Sequence, residues 1–184
     1  MTSELQLIKK FILNNGELNS FKAGQLIMNA EEEVNSLFLL DKGQARLILK
    51  ENNKRTTIKK ISEGEFIGLY NLVTGKKSAE IRASSELTTY SIDKDKFINF
   101  ISKDKNLNVY LKSYLFDEEI GYVIQGLLKN SSEKEVNLKS IFDNLRESCE
   151  LQNKKINIKR SLKNKNFIFY YETSSEENNI KRIR

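Results

Sequence analysis

The 184-residue sequence contains no histidine, no proline and no tryptophan, and its one cysteine is Cys149. Without histidine the chain cannot form a Ser–His–Asp or Cys–His catalytic arrangement, a histidine-based zinc site or a histidine-ligated haem. A single cysteine excludes an intramolecular disulfide and an all-cysteine iron–sulfur cluster, and it favours a reducing, cytoplasmic setting. Paired acids in an apolar setting are also missing. We therefore expect no enzymatic activity, no catalytic residue and no metal site.

Long apolar runs are absent as well. No segment approaches the roughly 20 apolar residues that cross a membrane, and the start lacks a signal-peptide pattern. We therefore expect a cytoplasmic protein with no membrane partner. The sequence is 39% hydrophobic and 30% charged, as is typical of a globular protein. Its formal net charge of +6 is compatible with nucleic-acid binding.

Short segments of strand character fill the first half of the chain after an amphipathic helix at Leu5 to Leu13. Glycine-containing turns separate them, for example Asp41-Lys42-Gly43. The predicted strands are Ser36 to Leu40, Gln44 to Lys50, Thr56 to Ile61, Ala79 to Ala83 and Leu87 to Ile92, with opening strands near Phe21 to Ile27. Regular short strands indicate an antiparallel sandwich or barrel. Asp93 is expected to cap a helix from Lys94 to Ile101.

The segment from Gly64 to Ala79 is the candidate binding site. It reads Gly64-Glu65-Phe66-Ile67-Gly68-Leu69 and, after a short apolar stretch, Lys76-Lys77-Ser78-Ala79. Glycines allow positive φ and close approach to a ligand, and free N–H groups with nearby lysines form a generic anion cradle. From spacing alone, a hairpin corner with apolar residues in the core is an equally good interpretation.

This segment resembles the phosphate-binding cassette of cyclic-nucleotide-binding domains, as in the Crp/Fnr (catabolite activator-like) family of transcriptional regulators. That cassette reads glycine, acid, two apolar residues, glycine and glutamate, then a short helix and arginine-serine-alanine. Gly64 to Gly68 and Ser78-Ala79 fit it. Leu69 replaces the glutamate that grips the ribose hydroxyl, and Lys77 replaces the arginine that grips the cyclic phosphate.

The resemblance implies a binding site made of the degenerate cassette residues Gly64, Glu65, Gly68, Leu69, Lys77, Ser78 and Ala79. A lysine is a point charge and cannot match the two-pronged guanidinium, while leucine cannot accept a hydrogen bond. We therefore expect a small-molecule effector, no tight binding of cAMP or cGMP, and no other cofactor. The implied fold is a jelly roll (double-stranded β-helix) over about residues 15–102.

Residues 106–128 are predicted to form one long helix, although Asp117-Glu118-Glu119 and Gly121 interrupt its apolar stripe. In the family, the corresponding helix pairs with its twin in a homodimer and covers the ligand pocket. The alternative is a single amphipathic helix that packs on its own barrel. The broad apolar set favours a homodimer. Asn130-Ser131-Ser132 is interpreted as a hinge, and a second amphipathic helix is expected from Val136 to about Cys149.

The last third of the chain allows two interpretations. A basic stretch at residues 154–165 suits phosphates but is also compatible with a solvated loop. Residues 167–171 have strand composition, yet by resemblance they fall in the first helix of a helix-turn-helix. Residues 174–183 then resemble a recognition helix, in which Ser174, Ser175, Glu176, Lys181 and Arg182 would contact DNA. The sequence ends before any wing strands, so this region is expected to be a truncated or decayed winged helix-turn-helix.

Together these features predict an α+β protein with three regions. A cyclic-nucleotide-binding-like β-roll with its N-terminal helix covers residues 1–103, a long dimerisation helix and hinge cover 104–130, and a small, mainly helical DNA-binding region covers 131–184. The predicted function is a Crp/Fnr-type, effector-responsive transcriptional regulator that forms a homodimer and binds DNA. The alternative is a sensory module without DNA binding that acts on a protein partner or on a further domain.

Overall fold

The computed structural model describes residues 2–51, 54–76, 79–121, 124 and 137–152. These residues divide between two units, Met1–Asn108 and Val109–Arg184. In this part of the chain no helix is long and apolar enough to cross a membrane.

The first unit contains two four-stranded antiparallel sheets. In chain order the strands are Glu17–Phe21 (β1), Leu26–Met28 (β2), Ser36–Lys42 (β3), Ala45–Glu51 (β4), Lys54–Ile61 (β5), Phe66–Ile67 (β6), Glu80–Ala83 (β7) and Leu87–Asp93 (β8). The first sheet has the order β1-β8-β3-β6, and the second has the order β2-β7-β4-β5. Because strands distant in sequence are neighbours in both sheets, the topology is consistent with the predicted jelly roll.

The core between the strands is aliphatic. Leu37 and Leu39 of β3, Leu47 of β4, Ile58 of β5 and Ile81 of β7 are almost completely buried. Alternation of half-buried and buried positions along β7 is the period of two that a strand with one core-facing side requires. The sequence predicted five of these strands to within about two residues at each end, a normal margin for element boundaries.

Three helices accompany the sheets of the first unit: Ser3–Asn15 (α1), Leu69–Thr74 (α2) and Lys94–Ser102 (α3). The hydroxyl of Thr2 accepts a hydrogen bond from the Leu5 N–H at 3.5 Å and starts α1. Asp93 accepts from the N–H groups of Asp95 and Lys96 and starts α3, which confirms the predicted cap. The rings of Phe11 and Phe100 stack at 3.8 Å and join these two helices.

The predicted long helix over residues 106–128 is not continuous, and the structure corrects this expectation. Helix α4 covers Lys105–Ser113, residues 114–116 are not helical, and helical structure resumes at residues 117–121. Glu119 explains the restart, because its carboxylate accepts the Phe116 N–H at 3.1 Å while the Phe116 carbonyl accepts the Glu119 N–H at 3.0 Å. This is the acidic half of a capping box, and acidic residues are favourable in a first helical turn.

The second unit also contains helix α5, Leu138–Gln152. The side chain of Asn137 accepts the Ser140 N–H at 3.1 Å and caps it. Arg146 of α5 forms an ion pair with Asp117, and Phe142 is almost completely buried. The predicted second amphipathic helix is thus found, beginning two residues later than expected. The predicted hinge at residues 130–132 and everything after residue 152 lie outside the described residues.

Candidate functional site

Within the candidate site, Gly68 follows strand β6 directly and precedes helix α2. This glycine has φ +90°, in the left-handed region that side chains disfavour, and its carbonyl accepts the Leu72 N–H at 3.1 Å to open α2. A Cβ at this position would lie 3.0 Å from the Ser36 carbonyl oxygen and 3.1 Å from Cγ1 of Val34. Glycine is therefore required at this position both for its conformation and for the space available.

Helix α2 is short and buried. Leu69, Tyr70, Asn71 and Leu72 all lie in the core, and Leu69 is 5% exposed. Leu69 stands at the position where the cassette of the resembling family carries its ribose-binding glutamate. The structure therefore places an apolar side chain, without any hydrogen-bond acceptor, in a water-excluded location.

The C-terminal end of α2 is fixed by polar contacts that the sequence analysis did not identify. The Gly75 N–H donates to the Asn71 carbonyl at 2.8 Å, and the Asn71 side-chain amide donates to the Lys76 carbonyl at 2.8 Å. The hydroxyl of Thr74 donates to the Tyr70 carbonyl at 2.7 Å and accepts the Lys76 N–H at 3.3 Å. Asn and Thr commonly bond nearby backbone in this way, and that tendency was the available signal.

Asn71 also has an unused hydrogen-bonding group. It is 5% exposed, and its side-chain oxygen is buried without a hydrogen-bond partner in the part of the chain that the structure describes. Buried polar groups of this kind are uncommon and lower the free energy of unfolding.

Gly64 and Glu65 form a turn before β6. The Gly64 N–H donates to the Leu40 carbonyl at 2.8 Å, and the Glu65 carbonyl accepts the Leu40 N–H at 3.0 Å. One carboxylate oxygen of Glu65 accepts the Ser62 N–H and the other pairs with Nζ of Lys59, both at 2.6 Å. These contacts account for Glu65 within the protein itself, and its predicted role in effector binding remains a prediction.

Of the remaining predicted site residues, the structure describes only Ala79. Ala79 is buried and leads into β7. Lys77 and Ser78 lie outside the described residues, as do Ser174, Ser175, Glu176, Lys181 and Arg182. The structure thus brings Gly64, Glu65, Gly68 and Leu69 together around β6. Among the residues described, no group of three acidic, cysteine or histidine side chains could hold a metal ion.

Comparison with known proteins supports this description of the first unit. Residues 18–104 match the family model of the cyclic nucleotide-binding domain. No curated protein sequence shows significant similarity to the chain.

Solved structures share the fold at low sequence identity. A transcriptional regulator from Thermotoga maritima aligns with a TM-score of 0.51 and 18% identity, over 67% of this chain and 98% of that one. A regulatory subunit of a cAMP-independent protein kinase A from Trypanosoma cruzi, bound to guanosine, aligns with a TM-score of 0.51 and 14% identity. That alignment covers 68% of this chain and only 50% of the kinase subunit.

A cyclic nucleotide-binding-like protein from Brucella abortus aligns with a TM-score of 0.44 and 17% identity, over 55% of this chain and 86% of that one. At such identities the similarity of structures concerns the fold alone. The match of the family model, the paired antiparallel sheets and the glycine-bounded helix α2 agree with one another. Residues 18–104 are therefore a cyclic nucleotide-binding domain.

Proposed function

We propose that the chain is an effector-responsive transcriptional regulator of the Crp/Fnr type whose cyclic nucleotide-binding domain takes a small ligand other than cAMP or cGMP. The observation that carries the ligand part of this proposal is the burial of Leu69. The backbone of the cassette keeps its left-handed glycine and its short helix, while the side chain at the acceptor position is apolar.

The energetic consequence is a weak site for a cyclic nucleotide. A ribose hydroxyl that is buried against Leu69 loses water and gains no acceptor, which costs about 1–3 kcal/mol. Lys77 in place of arginine forgoes the paired hydrogen bonds to the phosphate, although it keeps a positive charge. Together these two replacements remove the interactions that make a cyclic nucleotide a tight ligand.

Two proteins of similar fold are compatible with the proposal, one with its DNA-binding part and the other with its ligand part. The Thermotoga protein is a transcriptional regulator, and the alignment covers almost all of it. The trypanosomal subunit is described as cAMP-independent and is bound to guanosine, a nucleoside without a cyclic phosphate. A protein that contains this fold therefore binds a nucleoside that has no phosphate group.

In the proposed mechanism, the effector shifts the protein between two arrangements of the helices that follow the domain. A homodimer would then present two recognition helices at the spacing of adjacent major grooves in one arrangement only. The homodimer and the DNA contacts by Ser174, Ser175, Glu176, Lys181 and Arg182 are proposed from sequence resemblance.

The ligand proposal is tested by isothermal titration of cAMP and cGMP into the full chain. We expect no heat of binding at micromolar concentrations for the wild type, and measurable binding for the variant Leu69→Glu/Lys77→Arg. Leu69→Met is the matched control, since it preserves volume and adds no acceptor. Circular dichroism checks that each variant is folded. A submicromolar dissociation constant for the wild type would contradict the proposal.

The DNA proposal is tested separately, by a gel shift with a mixed-sequence duplex at low salt. A regulator of this type binds duplex DNA non-specifically under these conditions, and the affinity falls as salt rises. Absence of any binding would remove the regulator and favour the second candidate, a sensory module that acts on a protein partner. That candidate is supported by the fold shared with a kinase regulatory subunit.

A further inference from the structure

The second sheet has an apolar, core-facing side and an opposite side that carries several cations together with Glu80 and the buried Ile48. Ala45, Leu47 and Leu49 of β4 are buried, and Leu47 stands opposite the buried Ile81 of β7. Because successive side chains of a strand point to opposite faces, Arg46 and Lys50 lie on the other side of the sheet.

The strand register brings further cations next to these two. Arg46 stands opposite Arg82 of β7 on one side and opposite Lys60 of β5 on the other, and Lys50 stands opposite Arg55. We name these five residues, Arg46, Lys50, Arg55, Lys60 and Arg82, the basic face. Lys50, Arg55 and Lys60 are exposed, and the other two are half-buried. Like charges directly opposite each other on neighbouring strands destabilise a sheet.

Acidic side chains within the described residues form ion pairs with only part of the basic face. The carboxylate of Glu80 pairs with Arg82 at 2.5 Å and with Arg55 at 3.5 Å. In the portion of the chain that the structure describes, the side chains of Arg46, Lys50 and Lys60 have no ion pair, and Nε of Arg46 is buried without an acceptor. The buried nitrogen is not accessible to an external anion, but side chains without an ion pair on the exposed side of the sheet can form charge-assisted hydrogen bonds with one.

Protection of a sheet edge is the ordinary reason for cations on a strand. Strand β5 is an edge strand, so Arg55 and Lys60 are explained by the need to prevent pairing with another chain. Arg46 and Arg82 lie on β4 and β7, which are interior strands of the same sheet. Edge protection does not account for them. Arg82 is explained by its contacts with Glu80 and with the Gly24 carbonyl, whereas Arg46 has no such ion pair among the described residues.

We propose that the basic face binds an acidic segment of a partner protein. Neighbouring strands are about 4.8 Å apart, so Arg46 and Lys60 can each receive one carboxylate from a segment with closely spaced acidic residues. A nucleic acid fits less well, for two reasons. The basic face includes no aromatic side chain on which a base could stack. Glu80 lies among the cations, where it repels a continuous phosphate backbone but can be avoided by separate carboxylates.

The test uses the full chain and a fluorescein-labelled peptide of alternating glutamate and serine, followed by fluorescence anisotropy at low ionic strength. We expect Arg46→Glu/Lys60→Glu to weaken binding about tenfold or more. The matched control, Lys10→Glu/Lys96→Glu, makes the same change in net charge at exposed positions on α1 and α3, and it should leave the affinity almost unchanged. Equal weakening by both variants, or none by the first, would overturn the proposal.

Two further measurements keep the result decisive. Lysine acetylation of the wild-type protein, read by mass spectrometry, should show that the peptide protects Lys60 but not Lys10, and the reverse pattern would contradict the proposal. A mixed-sequence duplex replaces the peptide in a parallel titration. If Arg46→Glu/Lys60→Glu abolishes binding of the duplex and spares the peptide, the basic face is a nucleic-acid site and the proposal is wrong. Circular dichroism confirms folding, and Arg46→Gln/Lys60→Gln replaces the charge reversal if that variant unfolds.

Discussion

Two segments flank strand β6, and they use polar side chains in opposite ways. In the turn before β6, both carboxylate oxygens of Glu65 have partners within the protein, Ser62 and Lys59. In α2 after β6, Leu69 is apolar and buried, and the buried side-chain oxygen of Asn71 has no hydrogen-bond partner among the residues that the structure describes. Within the described residues, the comparison teaches that a single short motif contains a turn whose side-chain bonding is complete and a helix whose side-chain bonding is not.

The largest expected effect belongs to Gly68→Ala. A left-handed residue with a Cβ costs about 1–2 kcal/mol, and the contacts with Ser36 and Val34 should raise the total loss in free energy of unfolding to about 3 kcal/mol. Urea denaturation measures it. Gly75→Ala is the matched control, because Gly75 has φ +67° but its added Cβ would lie within 4 Å of no atom of the described residues. If the two variants lose equal stability, close packing around Gly68 is not the reason for glycine there.

Asn71→Ala should have an intermediate effect. The substitution leaves the Lys76 carbonyl without its donor, and we expect a loss of about 1–2 kcal/mol in the free energy of unfolding, again by urea denaturation. Asn15→Ala is the control, since its side-chain amide also donates to a carbonyl, that of Phe11 at 2.8 Å, but in an exposed setting. That control should lose under about 0.5 kcal/mol. A loss as small for Asn71→Ala would show that this contact does not fix the end of α2.

Glu65→Gln should have the smallest effect on the free energy of unfolding. It tests the comparison between the turn before β6 and helix α2 most directly. The Glu65 side chain is 38% exposed, so the ion pair with Lys59 should contribute about 0.5–1 kcal/mol, less at high salt. A double-mutant cycle with Lys59→Met measures the coupling between the two side chains. In the background of Leu69→Glu/Lys77→Arg, Glu65→Gln should leave nucleotide affinity unchanged. A large drop in that affinity would show that Glu65 takes part in binding the nucleotide.

Most of the first unit could be predicted from the sequence because its signals are local. Turn glycines and apolar runs defined β3, β4 and β8, and an aspartate at the right position defined the start of α3. The backbone of the cassette was predictable for the same reason, since Gly68 has no good substitute at φ +90°. The contacts of Asn71 and Glu65 were not predicted, although their partners lie only three to six residues away, because residue types alone do not show which nearby group will be within hydrogen-bond distance.

The interruption at residues 114–116 illustrates a different limit of prediction from sequence. Apolar periodicity continues across these residues, so a prediction based on periodicity extends the helix through them. Two hydrogen bonds between Phe116 and Glu119 outweigh that pattern locally. The acidic run Asp117-Glu118-Glu119 was visible as an interruption, and it is better interpreted as the first turn of a new helix.

This interruption has a consequence for how a signal could leave the domain. Helix α4 has nine residues and therefore extends only about 13 Å. A two-stranded coiled coil needs an unbroken heptad register over several turns, and the non-helical residues reset that register. Any pairing of two copies that runs through residues 105–121 would therefore consist of two contact zones with independent phases.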